Sequence, residues 1–167
     1  MKNNNTYKKE IDNFLNIYNN GGKYITNDIW KNQQYCQKWY RWLWYSEKLQ
    51  TKDISKIIKK ITKIIYPKVK LSVTADRIDS ISIYLLYTPE NIILPEKIYL
   101  KKTSRRLYKD NEIFNDKGLQ LYTLLKNICE HFNYDYSESL TDYFATKFYY
   151  DIEIGKWDKK YTYWDIK

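Results

Sequence analysis

The sequence predicts an α+β fold, with a helical N-terminal lobe packed with a β-hairpin and a strand-rich C-terminal lobe. Three observations carry this expectation. Apolar residues recur at helical spacing through much of the first 65 positions. At Pro67 the period drops from 3.6 to 2. Pro89 and Pro95 then bracket a short extended piece, after which a fresh strand opens at Lys97. The 167 residues divide accordingly into a helix and hairpin lobe (1–94), a β-rich lobe (95–150) and an aromatic, basic tail (151–167).

Residues 6–19 read as a helix, because Tyr7, Ile11, Phe14, Leu15 and Tyr18 fall on one stripe and Gly21-Gly22 follows as a C-cap. Asn27-Asp28 caps a second helix over about 29–49. Its Trp39, Trp42 and Trp44 fit a bulky helix buried on more than one side better than a stacking platform for bases. A third helix spans about 53–65. Ile54, Ile57, Ile58, Ile61, Ile64 and Ile65 form its apolar face, and Lys56, Lys59, Lys60 and Lys63 form a solvated face able to meet phosphate. Without Trp or Phe among the isoleucines, it is a poor membrane-surface helix.

Past Pro67, Val69, Leu71 and Val73 alternate with Lys70, Ser72 and Thr74. The stretch "ADRIDS" turns the chain, and Ile81, Ile83 and Leu85 start the return strand. "ENIIL" (90–94) is extended. "LQLYTLLKNICEHF" (119–132) alternates like a strand in its first half and reads as helix in its second. Residues 137–150 read as helix, capped by Ser137 or Ser139, and "GKWDKKYTYWDIK" (155–167) as an arm that docks on a partner.

The formal charge of +9 directs attention to polyanions. Lys, Asn, Ile and Tyr dominate, as an AT-rich genome favours, and arginine stands only at 41, 77, 105 and 106. The Arg105-Arg106 pair is therefore the more informative cation, since a guanidinium forks onto phosphate. No apolar run approaches the roughly 20 residues of a membrane span, so no membrane partner is expected. The N-terminus lacks the features of a secretory or transit peptide. Cys36 and Cys129 are isolated and read as small buried hydrophobes in a reducing compartment. His131 is the only histidine, which leaves no zinc site and no histidine-based triad. Asp76, Asp79 and Glu90 are the nearest approach to a metal-dependent nuclease, but two aspartates in a hairpin turn serve first as turn formers. No cofactor and no catalysis are expected.

The stretch "KIYLKKTSRRLYKDNEIF" (97–114) runs from a strand into a cluster of fixed positive charge beside a tyrosine. Together with "IDNFLNIYNN" (11–20) and "LWYSEKLQTKDI" (43–54), it resembles the eighth protein of the small ribosomal subunit in its divergent organellar form. The first motif is similar to that family's first helix. The second is similar to the end of its second helix, where a turn leads into a strand. In the third, Ser104, Arg106, Tyr108, Glu112 and Ile113 occupy the places of a Ser-x-Pro-Ser/Gly-x-Arg-x-Tyr turn and a following acidic-aliphatic pair. The family's first serine and proline are replaced by Lys101 and Thr103. Its Ser-Thr-Ser-Lys-Gly loop is echoed only by "GLQL" (118–121) and Lys126-Asn127-Ile128, and its closing Gly-Gly-Glu turn by "EIG" (153–155).

The resemblance, over about half the chain, implies a structural rRNA-binding protein of the small, mitochondrial ribosomal subunit. Such a protein binds the central domain of the rRNA and touches neighbouring ribosomal proteins. Lys101, Lys102, Ser104, Arg105, Arg106 and Tyr108 would form the RNA-binding turn, with Lys117, Lys126 and Asn127 as further contacts. RNA duplexes are read through shape, phosphate and 2′-hydroxyl groups, which suits that set. The alternative reading is a small basic phage or viral protein, working in the cytoplasm, that binds and inhibits a host nucleic-acid-processing complex.

Overall fold

The computed structural model describes residues 7–20, 49–77, 79–97, 113–133 and 146–164, with Asp76 and Arg77 described as backbone alone. Among these residues, three helices and a four-stranded mixed sheet make an α+β fold, helical at its N-terminal end and rich in strand at its C-terminal end. In chain order these are α1 (Lys8–Asn19), α2 (Thr51–Ile65), β1 (Lys70–Arg77), β2 (Ser80–Thr88), α3 (Asp116–Phe132), β3 (Tyr149–Ile154) and β4 (Thr162–Tyr163).

α2 is the helix the isoleucine spacing predicts, two residues longer at its start. Asp53 sits in its first turn, where its Oδ2 accepts from the Gln50 N–H at 3.4 Å. Isoleucine is a mediocre helix former, so packing supplies most of this helix's stability. Ile54, Ile57, Ile58 and Ile61 are fully buried, whereas Ile64 is 56% exposed, which narrows the apolar stripe. In the motif likened above to a turn entering a strand, the described residues 49–54 enter this helix instead.

β1 and β2 form the expected antiparallel hairpin, pairing Val73 with Ile83 and Leu71 with Leu85. β3 lies parallel to β2 on its other edge, pairing Ile83 with Ile152 and Leu85 with Ile154. The chain between these parallel strands contains α3, as a crossover connection requires. One sheet face is thus aliphatic. α2 packs on it over β1 and β2, α3 over β3, and α1 lies against α2. The sheet also ties the two predicted lobes together, because β2 belongs to the first and β3 spans the boundary drawn at residue 150.

Several elements differ from expectation. Residues 116–132 are helical throughout, including the part that alternates. Leu121, Leu124, Leu125, Ile128 and Phe132 form a buried helical stripe, and Asn115 caps it by accepting from the Gly118 N–H at 3.0 Å. "GLQL" and Lys126-Asn127-Ile128 are therefore helix rather than loop. The helix expected over 137–150 does not include its last residues. Tyr149 starts β3, and the Asn133 side chain brackets Phe148 with bonds of 2.9 and 3.2 Å, standing in for a strand neighbour. Residues 155–164 are no free arm, since β4 rejoins the sheet by pairing with Tyr87 and Thr88. "ENIIL" is extended and bridges Ile93 to Phe114.

Candidate nucleic-acid interface

Lys101, Lys102, Ser104, Arg105, Arg106 and Tyr108 lie outside the described residues, as do Cys36 and the tryptophans at 39, 42 and 44. The other three expected contacts sit on α3, but the helix spreads them apart. Lys117 and Lys126 are nine residues apart, half a turn out of phase, so they project from opposite sides. Both ammonium groups are engaged. Lys117 pairs with Glu90, and Lys126 lies 3.9 Å from Glu130. Burial holds the Glu130 carboxyl above its usual range, against the pull of Lys126 and of the Tyr150 hydroxyl, which donates to it at 3.5 Å. Asn127 faces a shallow groove of about 510 Å³ between α1 and α3, with Tyr18, Asp116, Gln120 and Thr123. These three residues do not form one surface.

α2 does form one. Lys52, Lys56, Lys59 and Lys63 recur at spacings of four, three and four, and all are exposed. At 1.5 Å per residue they make a straight ridge roughly 16 Å long on a rigid helix. The one acid on α2, Asp53, is buried and accepts a short hydrogen bond from the Tyr7 hydroxyl, so it cannot neutralise the ridge. That bond and burial together push the Tyr7 hydroxyl up to about 12. Among the described residues, none of the four lysines has a carboxylate partner. Lys60, beside the ridge, turns back over the Tyr7 ring, its Nζ 5.6 Å from the centroid.

Such a ridge is a local liability. Like charges three and four apart each destabilise a helix by about 0.2–0.5 kcal/mol, and Lys52 opposes the dipole at the N-terminal turn. The buried isoleucines hold the helix in spite of this.

More cations gather where α2 runs into β1. Lys70, Tyr87 and Thr162 form one row across the sheet, which places the α2–β1 turn and the β3–β4 connection at the same end. There the Lys70 Nζ lies 5.3 Å from the Tyr87 ring centroid and the Lys156 Nζ 5.5 Å from that of Tyr84. The lysine face of α2 was legible as able to touch phosphate; Lys156, Lys159 and Lys160 were not singled out, their signal being the "GKWDKK" turn itself.

Among the described residues, no three His, Cys, Asp or Glu side chains gather as a metal site would need, and no helix is long and apolar enough to cross a membrane. Cys129 is wholly buried, and burial raises its thiol far above the usual range. No protein-family model, curated protein or solved structure matches this chain.

Proposed function

We propose that the protein is a structural RNA-binding protein without catalytic activity, and that its RNA is the small-subunit rRNA to which the resemblance points, in a mitochondrial ribosome. The observation that carries the RNA reading is the lysine ridge of α2, which no described carboxylate neutralises. Ammonium groups act as point charges on phosphate and gain affinity by releasing counterions, whatever the sequence. A straight ridge of four suits a structured duplex, whose phosphates are fixed in space, better than a coiling single strand. The folded helix holds these charges in place before binding, so little ordering entropy opposes association. Arg105, Arg106 and their neighbours would add bidentate contacts to the same polyanion.

Crosslinking in the native cell, followed by sequencing of the attached RNA, tests this reading. A dominant peak in the central domain of the small-subunit rRNA is the expected result. Peaks on another RNA would keep RNA binding and discard the ribosomal assignment. Recovery of one protein complex with no RNA attached would replace both with the inhibitor reading.

A further inference from the structure

β3 and β4 occupy the same edge of β2, with Ile154 opposite Leu85 and Thr162 opposite Tyr87. One residue of β2 separates those positions, yet the other strand inserts Gly155 to Tyr161 between them. The insertion is a built finger. Gly155 turns out of the edge at φ +73°, with its N–H donating to the Leu85 carbonyl at 2.7 Å. Lys156 and Lys159 exchange backbone hydrogen bonds of 2.7 and 3.1 Å, leaving Trp157 and Asp158 at the tip. Tyr161 closes the finger as a buried anchor, hydrogen-bonded to Thr88.

The tip holds Trp157 in water, 87% exposed, with Lys156, Lys159 and Lys160 beside it. An indole on a braced turn loses little freedom on binding. Lys159 and Lys160 are exposed on the same finger, while the Lys156 Nζ lies over the Tyr84 ring, so the finger favours a partner carrying negative charge next to a flat apolar face. A nucleotide has both. A membrane would have to take Asp158 along with the indole, and a protein hot spot would want an apolar collar that the lysines do not supply.

We infer that Trp157 stacks on an unpaired base of the RNA, while the lysine ridge of α2 holds the adjoining duplex. The inference rests on the RNA-binding reading above. It is consistent with the Lys70–Tyr87–Thr162 row, which puts the ridge's C-terminal end and the finger at one end of the sheet.

The test compares two fluorescein-labelled RNAs by anisotropy: a plain duplex, and the same duplex with one bulged nucleotide. The expected result is tighter binding of the bulged RNA, by roughly 5- to 150-fold for one stacked base. Trp157→Ala should abolish that preference and leave duplex affinity and Tm unchanged, whereas Trp157→Phe should retain part of it. A wild-type protein that binds both RNAs equally, or a Trp157→Ala variant that keeps the preference, would overturn the finger's role and leave the ridge intact. Binding of neither RNA would overturn the RNA reading itself. Trp157-dependent pelleting with phosphatidylserine vesicles, in place of a bulge preference, would reassign the finger to lipid.

Discussion

His131 should make the fold sensitive to mild acid. It lies at the end of α3, its ring edge-on to Phe14 at 5.3 Å and to Phe132 at 4.7 Å. Burial lowers its pKa from 6.5 to about 4, overriding the help that a helix C-terminus gives a cation. A base whose folded pKa is depressed binds its proton more readily when unfolded. Stability is therefore intact above pH 6.5 and is lost as pH falls toward 4. The full difference is roughly 3 kcal/mol, at 1.36 kcal/mol per pH unit. Between pH 7 and pH 5 the same linkage removes about 2 kcal/mol. Neighbouring Glu130 works in the opposite direction, because its raised pKa favours the protonated folded form as pH falls. The clean comparison is therefore made in a Glu130→Gln background. Urea unfolding across pH 5–7 should show the loss with His131 present and a flat profile in His131→Phe. Equal slopes in the two proteins would refute the assignment.

Three further predictions follow from packing. Gly118→Ala should destabilise by about 1–3 kcal/mol, despite alanine's better helix propensity, because the new methyl would lie 2.4 Å from the Ile92 carbonyl oxygen and 2.7 Å from Phe114; thermal unfolding measures it, and a raised Tm would contradict it. Tyr7→Phe should lower stability by about 2 kcal/mol, since it leaves the buried Asp53 carboxylate without its hydroxyl donor; Tyr7→Phe in an Asp53→Asn background should show a much smaller loss by the same assay. In a Cys36→Ser variant, Cys129 should react with a thiol reagent only after unfolding, and prompt native-state labelling would contradict its burial.

The legible parts of this fold are those where one periodicity has no rival. The isoleucines of α2 and the alternation of β1 and β2 leave a single amphipathic solution, so helix and hairpin follow, while the register shifts near Lys70 and after Thr74 do not. α3 was ambiguous because "LQLYTLL" satisfies both periods over a short window. Asn115 caps the helix by accepting from the Gly118 N–H, and its amide donates to the Asn91 carbonyl at 2.8 Å, a contact only the fold supplies. β3 was misread since "FYYDIEI" owes its strand to pairing with a residue stretch some 70 positions earlier, which local pattern does not reveal. The site divides similarly. The four lysines of α2 were visible as a face, and what the structure adds is that no described carboxylate answers them. Lys117 and Lys126 looked equivalent in sequence, yet helix phase and their acidic partners separate them. The finger was hidden because its rigidity comes from Gly155 and Tyr161, residues that look unremarkable inside an aromatic tail.

The ridge itself gives the most direct measurement. Affinity for a plain RNA duplex is determined across 50–200 mM salt for the wild-type protein and for Lys52→Ala/Lys56→Ala/Lys59→Ala/Lys63→Ala. At about 0.7–0.9 counterions per lysine, four contacts contribute a slope of roughly −3 in log K against log salt. The variant should lose that slope and bind about 10²- to 10³-fold more weakly near 100 mM salt. Its fold should be as stable as the parent or slightly more so, as relief of like-charge repulsion predicts. A variant with unchanged slope and affinity would show that α2 does not meet the RNA.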